Sequence, residues 1–95
     1  MGIGTNGHIA FNEPGTSRDS KTHMVDLTEN TIKDNSRFFN SIDEVPTQAR
    51  TMGIETIMKS KEIYLVAQGK HKKEILEKAI YGDITPEIPA SFLQE

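Results

Sequence analysis

Ile63-Tyr64-Leu65-Val66-Ala67-Gln68-Gly69-Lys70-His71-Lys72-Lys73 is the stretch that decides the fold. Its first five residues are a continuous apolar run, rich in strand formers and bounded by Lys61-Glu62 and Gln68-Gly69. They predict a central strand buried on both faces, as in parallel sheets. From about Lys70 to Tyr81, Ile75, Leu76, Ala79 and Ile80 recur on one stripe of a helix, and Gly82 supplies its stop. A strand that turns directly into a helix places the chain in the α/β class.

The junction of that pair has a chemical meaning. In open α/β sheets ligands gather outside the carboxyl ends of the strands, where a helix N-terminus offers free N–H groups to an anion. Lys70, Lys72 and Lys73 concentrate positive charge there. A solvated basic helix face explains the three lysines equally well.

Working outward, Thr51 reads as the cap of a short helix in which Ile54, Ile57 and Met58 recur at three- and four-residue spacing. Gly53 weakens that helix and points to close packing. Asn40 to Pro46 reads as a connecting loop. Before it, Thr28 is a good N-cap and Leu27 with Ile32 fits a hydrophobic staple, so a helix is expected from about Glu29 to Phe39, with Ile32 and Phe39 facing the core. Arg37 then falls in the last turn, where a cation suits any helix. Lys21 to Leu27 is expected as a strand, preceded by a polar loop over Gly15 to Ser20. Beyond the central pair, Pro89-Ala90-Ser91-Phe92-Leu93 predicts a short helical turn.

The densest chemistry lies in Gly2-Ile3-Gly4-Thr5-Asn6-Gly7-His8-Ile9-Ala10-Phe11-Asn12-Glu13-Pro14. Gly2, Gly4 and Gly7 spell G-x-G-x-x-G, with Asp26 about twenty residues on, where a dinucleotide fold carries its ribose-binding acid. That motif must open a helix, and Asn12-Glu13-Pro14-Gly15 stops any helix here, so no dinucleotide is expected. The glycines instead let the backbone turn sharply and approach a small ligand. His8 can take and return a proton near neutral pH, and Glu13 can orient its ring, with Asn6 holding a ring nitrogen or a substrate hydroxyl. A turn-capping His8 beside a solvated Glu13 fits the same spacing.

Composition narrows the class. Ninety-five residues make at most one small domain with a modest apolar supply, 35% hydrophobic residues. Without cysteine there are no disulfides, thiolate nucleophiles or cysteine-zinc sites. The formal charge of -3 argues against a nucleic-acid binder. His8, His23 and His71 are too dispersed for a metal cluster, so no metal is expected. No apolar run matches a membrane span or a signal peptide, and the expectation is a soluble, cytoplasmic protein with no membrane contact.

Gly7-His8-Ile9-Ala10-Phe11-Asn12-Glu13-Pro14 closely resembles the signature of the glucosamine-6-phosphate deaminases, the sugar-phosphate isomerase/deaminase family. The likeness continues through Asn35-Ser36-Arg37-Phe38-Phe39, Val45-Pro46, Thr51-Met52-Gly53-Ile54 and Gly69 to Lys72, in order over nearly the whole chain. The resemblance implies a partial open three-layer doubly wound sheet, Rossmann-like. Residues 1–95 would then be the C-terminal portion of one larger domain. It also implies aldose–ketose isomerisation coupled to hydrolytic loss of the amine, from glucosamine 6-phosphate to fructose 6-phosphate and ammonia.

Carried over residue by residue, the family's roles make His8 the group that moves the anomeric proton and opens the sugar ring. Glu13 and Asn6 would set its orientation, Gly4 and Gly7 would shape the substrate loop, and Arg37 and Lys72 would hold the phosphate. No cofactor is implied, the partner is a hexosamine 6-phosphate, and the full-length enzyme is a candidate homo-oligomer. Many members carry aspartate where this chain has Asn6, which hydrogen-bonds but cannot accept a proton. His23 and Val25 match poorly the basic positions that bind an acetylated activator in regulated members. The base that removes the C2 proton is, in the family, an aspartate on a segment this chain does not contain, so the 95 residues alone are expected to be inactive. Two alternatives stay open: a 6-phosphogluconolactonase-like hydrolase, and a non-catalytic sugar-phosphate-binding fragment.

Overall fold

The computed structural model describes residues 1–95 in full. Two short antiparallel strands, β1 (His23–Asp26) and β2 (Gln48–Thr51), pair His23 with Thr51 through to Asp26 with Gln48. Between them run α1 (Glu29–Asn35) and two 3-10 turns, Ser36–Phe38 and Ile42–Glu44. After β2 come α2 (Ile54–Met58), an extended stretch through residue 68, a 3-10 turn at Lys70–Lys72, α3 (Lys73–Tyr81) and a final 3-10 turn at Pro89–Gln94. The mixture is α/β. None of its helices is long and apolar enough to cross a membrane.

One core holds it together: Ile3, Ile9, Ile54, Ile57, Ile75, Ala79, Ala90 and Phe92. Full burial of an isoleucine or phenylalanine side chain stabilises by about 1.5–3 kcal/mol, so these residues dominate the favourable side of folding. They come from the first loop, α2, α3 and the final turn, which therefore form the rigid body. The stripe expected on α3 is half right: Ile75 and Ala79 are buried and Leu76 partly so, but Ile80 is exposed. Gln94 fastens the final turn to α3, its amide donating to Ala79 O at 2.8 Å and Gly82 O at 2.9 Å, two carbonyls the helix end leaves free.

The arm from β1 to β2 contributes nothing to that core. Thr28 caps α1 as expected, its hydroxyl accepting Thr31 N–H at 3.2 Å. The helix, however, ends at Asn35 and tightens into the 3-10 turn rather than continuing to Phe39. Ile32 is only half-buried and Phe39 exposed, so neither faces the core. The reason is geometric: α1 stands off the body, and a seven-residue helix without a buried side chain rests on its cap and its flanking strands.

Two further expectations are corrected. Residues 63–67 are extended, yet Ile63, Leu65 and Ala67 are half-buried while Tyr64 and Val66 are 73% and 61% exposed. Only one side of the stretch meets a packed layer, so it alternates instead of being buried on both faces. Along one edge Met1 N donates to Tyr64 O at 2.7 Å and Val66 N to Met1 O at 2.9 Å, the bonding of a parallel pair, though no regular strand forms.

Thr51 does not cap α2. Its hydroxyl accepts Phe11 N–H at 3.1 Å and lies at the end of β2. The cap comes from Ser20, whose Oγ accepts Ile54 N–H at 2.8 Å and whose carbonyl accepts Glu55 N–H at 2.9 Å. Gly53 makes this possible, because a Cβ there would lie 2.2 Å from Ser20 O. Close backbone approach is its role.

Candidate active site

The glycine-rich start folds into a compact loop on the body. Gly4 N–H donates to His8 O at 2.9 Å and Gly7 N–H to Gly4 O at 2.9 Å, winding residues 4–8 into a tight turn. Gly7 has a φ of 90°, open to glycine, and packs on Ile88, while its carbonyl accepts Ala90 N–H at 2.9 Å. The loop is thereby pinned to the final 3-10 turn.

Within it the three residues singled out from the sequence meet. His8 Nδ1 lies 2.8 Å from Asn6 Oδ1, Asn6 Nδ2 donates to Glu13 Oε2 at 2.7 Å, and His8 Nδ1 is 3.7 Å from the same Glu13 oxygen. The backbone N–H of His8 also donates to Asn6 Oδ1, at 3.1 Å. Those partners fix the amide: an N–H must meet the oxygen, and a carboxylate must meet the nitrogen. Asn6 Oδ1 can only accept, so in the neutral ring the proton sits on His8 Nδ1. Nε2 is then left bare, with no hydrogen bond inside the protein, as a proton acceptor.

His8 opens onto a cleft of about 630 Å³, within the size range of small-ligand sites. The loop residues Gly4, Asn6, His8, Ala10 and Glu13 form one wall, and Thr28, Thr31 and Asp34 of the α1 arm form another. Lys72 and His71 close the end, at the junction where charge was expected to gather. Lys72 Nζ donates to Ile3 O and so is held at the floor of the loop.

Gly4 lies under the histidine ring. A Cβ at Gly4 would fall 2.1 Å from His8 Cε1, so the ring lies flat on bare backbone. Gly4→Ala in the full-length protein is therefore expected to push the ring off Asn6 and lower kcat/KM by about 100-fold, the effect of roughly 1 Å of misplacement. Steady-state kinetics beside a melting curve checks it, since the ring can move without opening the core.

Arg37 is not brought to the cleft. It is exposed, with its guanidinium 4.8 Å from the Phe38 ring centroid, because the 3-10 turn after Asn35 swings it off the α1 face that carries Thr31 and Asp34. Conversely, the sequence reading missed Thr31, Asp34 and His71 as lining residues. For Thr31 and Asp34 the only signal was indirect, an α1 with few apolar residues and so a polar face to spare, while His71 sits in the turn after residues 63–67 where a ligand was expected to gather.

With this geometry in place, the likeness to known proteins is informative. The sequence model of the glucosamine-6-phosphate isomerases/6-phosphogluconolactonase family matches residues 1–95. A glucosamine-6-phosphate deaminase of Oenococcus oeni is 60% identical over 95 residues, 100% of this chain and 40% of the relative. One from Oceanobacillus iheyensis is 61% identical over 94 residues, covering 99% of this chain and 38% of that protein. The solved structure of a monomeric glucosamine-6-phosphate deaminase superposes with a TM-score of 0.90 at 55% identity, over 97% of this chain and 38% of the other. The chain thus spans about 40% of the length of its curated relatives.

Proposed function

The chain belongs to the glucosamine-6-phosphate isomerase/6-phosphogluconolactonase family, and from that premise we propose that it forms part of a glucosamine-6-phosphate deaminase. The reaction is aldose–ketose isomerisation of glucosamine 6-phosphate with release of ammonia, giving fructose 6-phosphate. The observation that carries this reading is the 2.8 Å approach of His8 Nδ1 to Asn6 Oδ1, an acceptor that assigns the neutral ring's proton to Nδ1. With Nδ1–H donated to Asn6, bare Nε2 takes the proton of the anomeric hydroxyl and returns it to the ring oxygen, which opens the pyranose. Glu13, through the Asn6 amide, supports the positive charge that the ring carries between the two transfers.

Lys72 holds the phosphate at the end of the cleft, as a point charge beside the loop backbone. Arg37 joins it by leaving the Phe38 ring, a movement of one exposed side chain on the arm. Removal of the C2 proton falls to a group outside these residues, in the remaining three fifths of a protein of the relatives' length. The same remainder completes an open three-layer sheet of the Rossmann-like kind: the exposed Tyr64 and Val66 face of residues 63–67 is the side it covers. A parallel strand with one bare face is otherwise rare.

The family also holds lactonases, and product chemistry separates them. Full-length protein incubated with glucosamine 6-phosphate and, in parallel, with 6-phosphogluconolactone is expected to release ammonia from the first and to leave hydrolysis of the second at its spontaneous rate. Accelerated lactone hydrolysis without ammonia release would replace this reading by the lactonase one. Hexosamine phosphate binding by calorimetry with neither product would leave a binding fragment.

A further inference from the structure

We infer that Asn12 is a positioning residue for His8 and Glu13, acting by holding a strained turn closed between them. The inference rests on the roles proposed above for that pair. Ile9 and Asn12 form an isolated antiparallel bridge, with Asn12 N–H donating to Ile9 O at 3.0 Å across Ala10 and Phe11. Ala10 has a φ of 51°, the left-handed region that residues other than glycine avoid. It also lines the cleft, so the strain sits at the site itself. Something must hold the turn in that shape.

Asn12 does so with its side chain. The residue is fully buried, and both hydrogens of its amide are committed: one to Ile9 O at 3.0 Å, the other to Met52 O at 2.8 Å. Two carbonyls facing the nitrogen fix the amide this way round, which leaves Asn12 Oδ1 buried with no partner. An orphaned acceptor is unfavourable in the interior, so the arrangement serves the clamp rather than stability alone. The clamp ties the turn to the corner after β2, forty residues away in the chain. His8 precedes Ile9 and Glu13 follows Asn12, so the width of this turn sets where the two reach Asn6.

The test is Asn12→Ala in the full-length protein. Met52 O keeps the Thr51 hydroxyl at 3.0 Å and no side chain of the hydrophobic core is altered, so the fold survives the loss of the amide while the Ile9–Asn12 bond is left without its clamp. Ammonia-release kcat/KM is expected to fall about 100-fold, the cost of a small misplacement of reacting groups. The backbone amide at position 12 is expected to lose its hydrogen-exchange protection. Adding Ala10→Gly, which takes φ near +51° without strain, is expected to recover about tenfold of the activity and part of the protection.

Ala10→Val at the exposed turn position, leaving Asn12 in place, is expected to cost protection in the same way. It keeps the idea testable if Asn12→Ala does not fold. Unchanged activity and protection in Asn12→Ala would overturn the inference, as would a loss of activity that Ala10→Gly does not relieve. In the Ala10→Val protein, full protection would do the same. The exchange readout needs no substrate, so it still decides the clamp if the protein proves not to release ammonia.

Discussion

Replacing His8 with alanine in the full-length protein is expected to lower kcat/KM for glucosamine 6-phosphate by about 10²–10⁴-fold, the usual contribution of one positioned acid–base group. The size follows from what the cleft offers in its place. Asn6 is an amide and cannot accept the proton, and Glu13 is engaged by the Asn6 nitrogen at 2.7 Å. Lys72 is a cation with no lone pair to give while charged, and His71 lines the cleft beside Lys72, where the phosphate is proposed to sit. The loss belongs to ring opening, so it is expected in kcat for the pyranose with little change in binding. Normal turnover of the pyranose by the His8→Ala protein would remove His8 from that step.

Ammonia production by the 95-residue chain alone is the second large effect, and it is expected to be absent. Isomerisation needs a base that takes the proton from C2 and delivers one to C1 after the ring has opened. Of the chain's aspartates only Asp34 lines the cleft, and it stands on α1, a helix with no buried residue and no member in the core. An exposed carboxylate without a partner to orient it is a poor proton carrier, because its distance to the carbon is not fixed. One lysine is also a weak grip on a phosphate.

The isolated chain is expected to self-associate as well. Tyr64, Val66, Ile80 and Tyr81 are exposed together with the open edge of residues 63–67, a surface that invites strand pairing. Coupled-enzyme detection of ammonia and light scattering on the same sample check both parts. Robust turnover by the isolated chain would single out Asp34 as the base, and Asp34→Asn would then abolish it.

What was readable in the sequence follows a physical division. Local signals were legible: the Thr28 cap, the helix expected from about Lys70 to Tyr81, whose first three residues form a 3-10 turn, with its Gly82 stop, the turn at Pro89, and the gathering of Asn6, His8 and Glu13 within one glycine-rich loop. Each depends on neighbours a few residues away. The resemblance to the deaminases supplied the family, which spacing alone left open between a catalytic histidine and a turn cap.

What failed depends on distant contacts. The central stretch was expected to be buried on both faces because five apolar residues in a row carry no period, yet the second layer is not provided within these residues. Thr51 was expected to cap α2, but a hydroxyl at that position is equally able to accept Phe11 N–H forty residues back, and Ser20 took the cap instead. Ile32 and Phe39 share a helical face, but a shared face says nothing about whether a core lies beneath it.

The proposed ring opening turns on the proton that Asn6 directs onto His8 Nδ1, and nitrogen-15 chemical shifts of the His8 side chain in the full-length protein read it directly. The expected result, with the ring neutral, is a protonated Nδ1 and a bare Nε2, with the Nε2-protonated tautomer gaining population in Asn6→Ala. A neutral ring protonated on Nε2 in the unaltered protein would contradict it, since the nitrogen facing the sugar would then have no lone pair to take the anomeric proton.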